Sequence, residues 1–400
     1  MMQNRVFITA RTNYLGVIMK RFSAILMLFI IGCANVAQEH TKEILPGAYQ
    51  LGDYLDELKG KKIALTVNHS SLLDGRHLTD TLIDLGITIR KVFTPEHGFK
   101  GTVSDGEIIE YTDQSQDFEL ISLYGKNKKP SVSQIEDIDL MLFDIQDVGA
   151  RFYTYISTMH YIMEACAENA IPLMILDRPN PNGSYVDGPV LDTAFQSFVG
   201  MHPIPIVHGM TVGELANMIN AEGWLANGIQ CNIKIIPVKN WDHTIPYTLP
   251  VRPSPNLPDD LSVALYPSLC LFEGTIMSVG RGTENAFQQI GHPEYPDSSY
   301  SFTPKSWEGS KWPPYENQPC YGISWIGQKP HYRFSLGPLI ETYHRMNRPD
   351  FFNPYFTRLA GTDELQKQIE SGLSEGEIRS SWEPKLQVFK EKRAKYLLYP

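Results

Sequence analysis

Short apolar runs alternate with amphipathic stretches from about residue 46 onward. Runs of this kind are typical of strands covered on both faces, and they lie at 63–68, 89–94, 120–124, 140–145, 172–177 and 233–238. Helix-like spacing of apolar positions separates them at 78–85, 154–169 and 211–222. Thr211 and Glu214 form a T-x-x-E capping box at the start of the last of these helices. Strands alternating with helices predict an α/β fold, a mostly parallel doubly wound sheet with helices on both faces.

The pattern changes after residue 238. Residues 241–258 are irregular and rich in proline, which is typical of a linker or of a loop that crosses an active site. Residues 259–400 combine aromatic-rich loops with helices, of which the last is predicted at 384–396. We therefore expect a larger domain at 46–250 and a smaller α+β domain at 251–400.

Residues 1–45 have the pattern of an export signal followed by a tether. Lys20 and Arg21 supply positive charge, and the apolar run at 24–31 is too short to span a bilayer. Cys33 closes this run after a small residue, which resembles a bacterial lipoprotein signal with Met19 as the initiator and Cys33 as the lipidated residue. An ordinary secretory signal with an incidental cysteine is the alternative. We expect an exported protein of the periplasm or outer membrane, anchored by lipid and not spanning the membrane.

Composition excludes several classes of function. The 400 residues carry a net charge of −10, with acidic residues scattered along the chain, so the basic face that a nucleic-acid partner needs is absent. The sequence contains no G-x-G-x-x-G, no P-loop, no G-x-S-x-G and no H-E-x-x-H motif. We therefore expect no nucleotide cofactor, no serine nucleophile and no bound metal. Oligomeric state is left open.

Residues 93–101, FTPEHGFKG, are the most informative stretch of the chain. Pro95 ends a predicted strand, and the glycines after it allow a tight turn close to a ligand. Glu96 and His97 thus lie at the carboxyl edge of a parallel sheet, where open α/β folds bind substrates. Glu96 is the first candidate for a catalytic acid or base; the alternative is a glutamate that caps the next helix.

Further polar residues follow other predicted strands or sit in turns near the same edge. Taken one at a time they are typical of salt bridges, helix caps and turns, but their density favours one polar site. Carboxylates, guanidinium groups and aromatic rings are the side chains that a sugar site uses. The candidates are Asn68, Asp144, Arg151, Tyr153, Tyr155, Asp177, Arg178, Asn180, His208, Glu273, Arg281 and Glu284.

At these residues the chain resembles the bacterial exo-β-N-acetylmuramidases, glycoside hydrolase family 171. The resemblance rests on TPEHGF at 94–99, FDIQDVGARFYTY at 143–155, DRPNP at 177–181, HGMT at 208–211, and FEGT with GRGTEN within 272–285. It extends to the terminal W-x-x-x-L-x-x-F and YLLYP motifs. It implies a Rossmann-like catalytic domain joined to a smaller domain that closes the cleft. It also implies removal of terminal N-acetylmuramic acid from the non-reducing end of peptidoglycan fragments, without a cofactor.

The same resemblance suggests roles for individual residues. Glu96 matches the catalytic carboxylate and is expected to be the general acid. The second catalytic group stays open between the acetamido group of the substrate and one of Asp144, Asp177, Glu273 and Glu284. A guanidinium group is expected to bind the lactyl carboxylate, and among Arg151, Arg178 and Arg281 we favour Arg151 because Tyr153 and Tyr155 follow it.

Two other interpretations remain at this point. A non-catalytic lipoprotein could bind peptidoglycan or sugar through the same cleft without needing Glu96. A metal-dependent hydrolase could use His97, Asp144 and His208.

Overall fold

The computed structural model describes residues 42–101, 118–307 and 309–400. Its strands are β1 (Lys62–Val67), β2 (Leu72–Leu73), β3 (Arg76–His77), β4 (Thr88–Thr94), β5 (Glu119–Ser122), β6 (Leu140–Asp144), β7 (Leu173–Leu176), β8 (Asp187–Val190), β9 (Pro205–Val207), β10 (Ile233–Ile236), β11 (Gln289–His292), β12 (Ser301–Phe302) and β13 (Cys320–Ser324). Its helices are α1 (Leu51–Leu58), α2 (Leu78–Asp84), α3 (Val132–Ile135), α4 (Tyr155–Glu168), α5 (Val212–Ala221), α6 (Asp260–Leu269), α7 (Gly337–Met346), α8 (Phe356–Ala360), α9 (Glu364–Glu370) and α10 (Glu375–Arg393).

The central sheet has six strands in the order β10-β7-β6-β1-β4-β5, and every neighbouring pair is parallel. Each strand overlaps one of the six apolar runs, so the predicted α/β fold with a mostly parallel sheet is confirmed. The chain adds β4 and β5 on one side of β1 and then returns to β6 on the other side. The crevice of a doubly wound sheet lies at such a reversal, here between β1 and β6.

Alternate residues of each strand enter different hydrophobic clusters because successive side chains point to opposite faces of a sheet. In β1, Ile63 and Leu65 pack with Tyr54 of α1 and with α2, whereas Ala64 packs on the opposite face, in the cluster that holds α4 and α5. Helices therefore cover both faces, as predicted. The cluster that holds α4 and α5 also contains Leu386 of α10, so the C-terminal part of the chain packs onto the same core.

The segment after β10 carries a small antiparallel sheet in the order β11-β13-β12, together with the last helices. The terminal helix begins nine residues earlier than predicted, because Pro384 lies inside α10 and does not start it. A capping box of Ser374 and Glu377 defines the true start. Residues Ile44–Pro400 form one compact unit. Across the described ranges, no helix combines the length and apolar character that crossing a membrane requires.

Candidate active site

A cavity of about 480 Å³ opens beside the turn that follows β4. Ligand pockets in proteins commonly have volumes in this range. The turn after β4, the start of α4 and the segments 254–257, 266–287, 310–314 and 355–359 contribute its walls. The side chains around it include Glu96, His97, Tyr124, Phe152, Tyr153, Thr154, Tyr155, Phe198, Asn256, Tyr266, Cys270, Glu273, Arg281, Phe287, Lys311, Trp312 and Tyr355.

Glu96 reaches the cavity because β4 ends at Thr94 and the chain then turns sharply. His97 has a φ of 70°, and the backbone N–H of Gly98 donates to the carbonyl of Pro95 at 3.1 Å. The half-buried Glu96 carboxylate accepts a hydrogen bond of 3.2 Å from the Oγ1 of Thr154, the N-cap residue of α4. Glu96 is therefore held at a fixed position in the wall, beside the start of α4.

Tyrosine rings form one side of the cavity. The ring of Tyr153 lies edge-on to Tyr155 and to Tyr266, with centroids 4.8 and 5.8 Å away. The Tyr153 hydroxyl donates to the carbonyl of Pro253 at 2.8 Å, which anchors the proline-rich segment against the start of α4. Burial raises the pKa of Tyr153 well above its ordinary value, so this phenol stays protonated and remains a donor. These rings provide a rigid apolar surface of the kind that sugar rings stack against.

A second carboxylate, Glu273, lies in the cavity wall within the 3₁₀ turn that follows α6. The Nε of Arg281 donates to its Oε1 at 2.5 Å, and the Arg281 guanidinium lies 5.1 Å from the ring centroid of Phe287. Desolvation raises the pKa of Tyr355, and the charges of both Glu273 and Glu96 raise it further. Glu96, Glu273 and Tyr355 thus share one cavity.

Six of the candidates predicted from the sequence line the cavity, namely Glu96, His97, Tyr153, Tyr155, Glu273 and Arg281. The structure places the other eight candidates outside the cavity lining.

Asp144 and Arg178 form an ion pair outside the cavity. Arg178 donates to both carboxylate oxygens of Asp144, at 2.6 and 2.9 Å, and both side chains are almost completely buried. Around this pair the loop after β1 is hydrogen-bonded to the loop after β6, because the backbone N–H of Gln146 donates to the Oγ of Ser70 at 3.1 Å. Asn68 accepts from both the N–H and the hydroxyl of Ser70. These side chains fill the crevice between β1 and β6.

Asp177 is fully buried and accepts four hydrogen bonds. The donors include the Thr211 hydroxyl at 2.7 Å, the Gly213 N–H at 2.8 Å and the Tyr399 hydroxyl at 2.6 Å. Burial raises the pKa of Asp177 to about 6, and these donated bonds oppose that rise. Asp177 therefore joins the start of α5 to the C-terminal residues of the chain.

Arg151 is completely buried, and its guanidinium group donates to four backbone carbonyls. The acceptors are Pro189 and Ile204 on one side and Leu359 and Ala360 on the other, at 2.7–2.9 Å. Burial without a carboxylate partner lowers the pKa of Arg151 to about 9. The Arg151 side chain does not line the cavity, but it ties the chain before β9 to α8. Leu359 of α8 and the preceding Tyr355 do line the cavity.

The last three candidates also lie away from the cavity. Asn180 donates to the carbonyl of Met210 at 2.8 Å and joins two loops. His208 is buried, with its Nε2 3.9 Å from a carboxylate oxygen of Asp147, and burial lowers its pKa to about 3. Glu284 is exposed on the surface.

Sequence reasoning missed Thr154, Tyr266, Trp312 and Tyr355 as residues of the cavity wall. Thr154 belongs to the RFYTY segment and could have been found as the N-cap of the predicted helix at 154–169. Trp312 lies within one of the aromatic-rich loops that the sequence indicates after residue 259. Tyr355 and Tyr266 carry no local signal, because only the tertiary fold brings them to Glu96.

Cys33 lies outside the described residues, so its predicted lipidation stays a prediction. Within 42–101, 118–307 and 309–400, no group of three His, Cys, Asp or Glu side chains is arranged to hold a metal ion. The three residues of the metal-dependent interpretation have separate surroundings: His97 lines the cavity, Asp144 binds Arg178, and His208 lies beside Asp147.

A parallel α/β sheet whose edge carries a cavity with two carboxylates, a guanidinium group and an aromatic wall has the make-up of a sugar-cleaving hydrolase. Comparison with known proteins agrees. Family models for the N-terminal and C-terminal parts of the exo-β-N-acetylmuramidase NamZ match residues 63–261 and 264–399. The chain belongs to the NamZ exo-β-N-acetylmuramidase family, a family of glycoside hydrolases.

Individual relatives show the same relationship. The chain is 37% identical over 377 residues to the peptidoglycan β-N-acetylmuramidase NamZ of Bacillus subtilis (strain 168), which covers 87% of this chain and 89% of the relative. A crystal structure of a DUF1343 family protein from Bacteroides fragilis NCTC 9343 superposes with a TM-score of 0.83 at 44% identity, covering 89% of this chain and 99% of that one. A second DUF1343 protein of that organism gives 0.76 at 25% identity, with the same coverage.

Proposed function

We propose that this protein is an exo-acting glycosidase that removes terminal N-acetylmuramic acid from the non-reducing end of peptidoglycan fragments, with Glu96 as the general acid. The observation that carries the proposal is the position of Glu96, half-buried in the wall of a cavity that tyrosine rings and a second carboxylate also line. The match to family models of exo-β-N-acetylmuramidases supports exo action.

In this mechanism the proton of Glu96 passes to the glycosidic oxygen as the bond to the anomeric carbon breaks. The Thr154 hydroxyl keeps the Glu96 carboxyl group in one orientation through the 3.2 Å hydrogen bond. Tyr153, Tyr155 and Tyr266 hold the sugar ring and exclude water from the side of the cavity that they form.

Glu273 is our candidate for the second acidic group, in the role of base, nucleophile or partner of the substrate's acetamido group. It lines the same cavity as Glu96, whereas the buried Asp144 and Asp177 are surrounded by donors of their own. The hydrogen bond from Arg281 fixes the orientation of the Glu273 carboxylate in the cavity wall.

Arg281 is also our candidate for recognition of the lactyl carboxylate. Among the described residues, Arg281 and Lys311 are the Lys or Arg side chains that line the cavity, and Arg151 and Arg178 are bound to other groups. A guanidinium group that bridges Glu273 and the substrate carboxylate would set the sugar in register with Glu96.

The test compares wild type with Glu96→Gln on two substrates, a nitrophenyl N-acetylmuramide and the disaccharide of N-acetylmuramic acid and N-acetylglucosamine. Because a sugar leaving group needs protonation more than nitrophenolate does, we expect kcat on the disaccharide to fall about a thousandfold and kcat on the nitrophenyl substrate to fall less. Binding of the disaccharide is expected to persist. The matched control, Glu136→Gln, changes an exposed glutamate at the end of α3 and is expected to keep full activity.

Two results would contradict the proposal. Near-normal turnover of the disaccharide by Glu96→Gln would remove the role of Glu96. A wild-type protein that binds muramyl sugars but releases nothing from either substrate would favour the non-catalytic sugar-binding interpretation.

We also infer that the protein is exported and held at the bacterial envelope by lipid on Cys33. The charged, apolar and small-residue pattern at 19–33 supports this inference. Cys33→Ala is expected to move the protein from the detergent phase to the aqueous phase in detergent partitioning. Unchanged partitioning of this variant would refute lipid attachment at Cys33.

A further inference from the structure

Trp312 is the most exposed large apolar side chain reported for the described residues, with 79% of its surface accessible to solvent, and it lies in the wall of the cavity. Other side chains of the same cavity wall are buried, and Phe287 and Cys270 are only 1% exposed. Trp312 is therefore the part of the wall that faces solvent. An indole left in water at the entrance of a binding pocket is a typical recognition element.

The segment that carries Trp312, residues 309–318 (the rim loop), is fixed to the rest of the protein on both sides of the tryptophan. The Asn256 side chain donates to the carbonyl of Gly309 at 3.0 Å, and the Tyr315 hydroxyl donates to the carbonyl of Ile276 at 2.5 Å. The loop also packs closely on Gly282, where an added Cβ would lie 2.6 Å from Pro313.

Because the rim loop is fixed in this way, the backbone that carries Trp312 is in place before any ligand arrives. An aromatic side chain on a preordered backbone has only two torsion angles to fix when it binds, so its contact contributes more to affinity than the same contact from a mobile loop. Gly282 directly follows Arg281, so the packing of Pro313 on Gly282 also fixes Trp312 relative to the cation proposed for the muramyl sugar.

We propose that Trp312 is the binding platform for the leaving sugar, stacking its indole ring on the apolar face of the saccharide next to the terminal residue. This inference rests on the proposed function. If the terminal sugar occupies the buried part of the cavity, the next sugar must point towards solvent, where Trp312 lies. The C–H groups of a pyranose ring suit the electron-rich face of an indole. The platform would therefore recognise a sugar leaving group and contribute nothing to a small one.

The experiment measures binding to the Glu96→Gln protein by calorimetry with two ligands that share the muramyl sugar. One is the disaccharide of N-acetylmuramic acid and N-acetylglucosamine, and the other is methyl β-N-acetylmuramide, whose methyl group has no ring to stack. Trp312→Ala is expected to weaken disaccharide binding about tenfold and to leave methyl glycoside binding unchanged. Trp312→Phe is expected to restore most of the loss.

Trp307→Ala is the matched control, since Trp307 is 42% exposed and precedes the rim loop but does not line the cavity. It should bind both ligands as the Glu96→Gln parent does. Equal losses for the two ligands in Trp312→Ala, an unchanged disaccharide affinity, or the same loss in Trp307→Ala would each overturn the platform. If neither ligand binds the parent or the wild type, the proposed function fails and the platform fails with it.

Discussion

Replacing Arg151 by methionine should destabilise the protein strongly, although Arg151 itself does not line the cavity. Methionine nearly fills the space of the arginine stem but donates no hydrogen bond, so the four carbonyls that Arg151 now satisfies lose their donor. Bonds from a charged donor contribute about 1.5–3 kcal/mol each, and partial access of water recovers some of the loss. Each buried carbonyl left without a donor costs about 1–3 kcal/mol, and the removal of a buried cation offsets part of the sum. We therefore expect the free energy of unfolding to fall by about 4 kcal/mol.

Urea unfolding followed by circular dichroism measures this loss. The matched control is Arg358→Met, which removes an exposed arginine from α8, the helix that supplies the Leu359 and Ala360 carbonyls. Surface substitutions of this kind change stability by about 0.5 kcal/mol or less. Arg151→Lys should fall between the two, because one ammonium group cannot reach four separated acceptors. A loss below about 1 kcal/mol in Arg151→Met would refute the reasoning that these four bonds hold the two segments together.

Two further predictions concern buried groups, and a third concerns metal dependence. Tyr399→Phe removes the donor to Asp177 and the acceptor of the Val238 N–H, and should lower the free energy of unfolding by about 1–2 kcal/mol in the same urea assay. Burial raises the pKa of Asp147 from 3.8 to about 7, so the folded protein holds this proton more tightly than the unfolded chain does. The resulting contribution to stability is complete below about pH 4 and is lost as the pH rises through 7. Through this group the wild type should lose up to about 4 kcal/mol of unfolding free energy between pH 4 and 7. Asp147→Asn, whose side chain stays neutral, should not show this part of the loss. Activity after dialysis against EDTA should equal that of untreated enzyme, and a loss that Zn²⁺ or Mg²⁺ restores would revive the metal-dependent interpretation.

The predictions for buried groups have clear contrary outcomes. An unchanged midpoint for Tyr399→Phe would mean that its hydroxyl contributes no net stability. Parallel pH profiles for wild type and Asp147→Asn would mean that Asp147 is ionised in the folded protein throughout that range.

The sheet could be predicted from the sequence because its strands are continuous apolar runs, a local property of each segment. The starts of α4 and α5 could also be predicted from local sequence. For α5 the signal is the capping box of Thr211 and Glu214, which lies within four residues. Glu96 was found because a proline and two glycines mark the end of its strand. By contrast, the start of α10 was wrong, because proline is common in the first turn of a helix and Pro384 in this chain lies in the interior, held there by the buried Trp382 and Leu386.

The candidate residues were harder to sort because their partners come from distant parts of the chain. Arg151 stands in a segment that does supply cavity residues, and nothing near it signals that its acceptors include carbonyls more than 200 residues away. Asp144 and Arg178 each follow a strand, as a catalytic residue would, yet they neutralise each other. Position at a sheet edge identifies polar residues, but only the fold separates those that face the cavity from those that face one another.

The filled crevice between β1 and β6 has a consequence for how substrate preference can change. In many doubly wound proteins that crevice holds the ligand, so altering specificity disturbs the strands themselves. Here the Asp144–Arg178 pair occupies it, and the cavity is shaped mainly by segments that reach over from after residue 250. A mutant library confined to Lys311 and Trp312 would thus vary the accepted sugars while sparing the central sheet, and related enzymes can diverge by the same route.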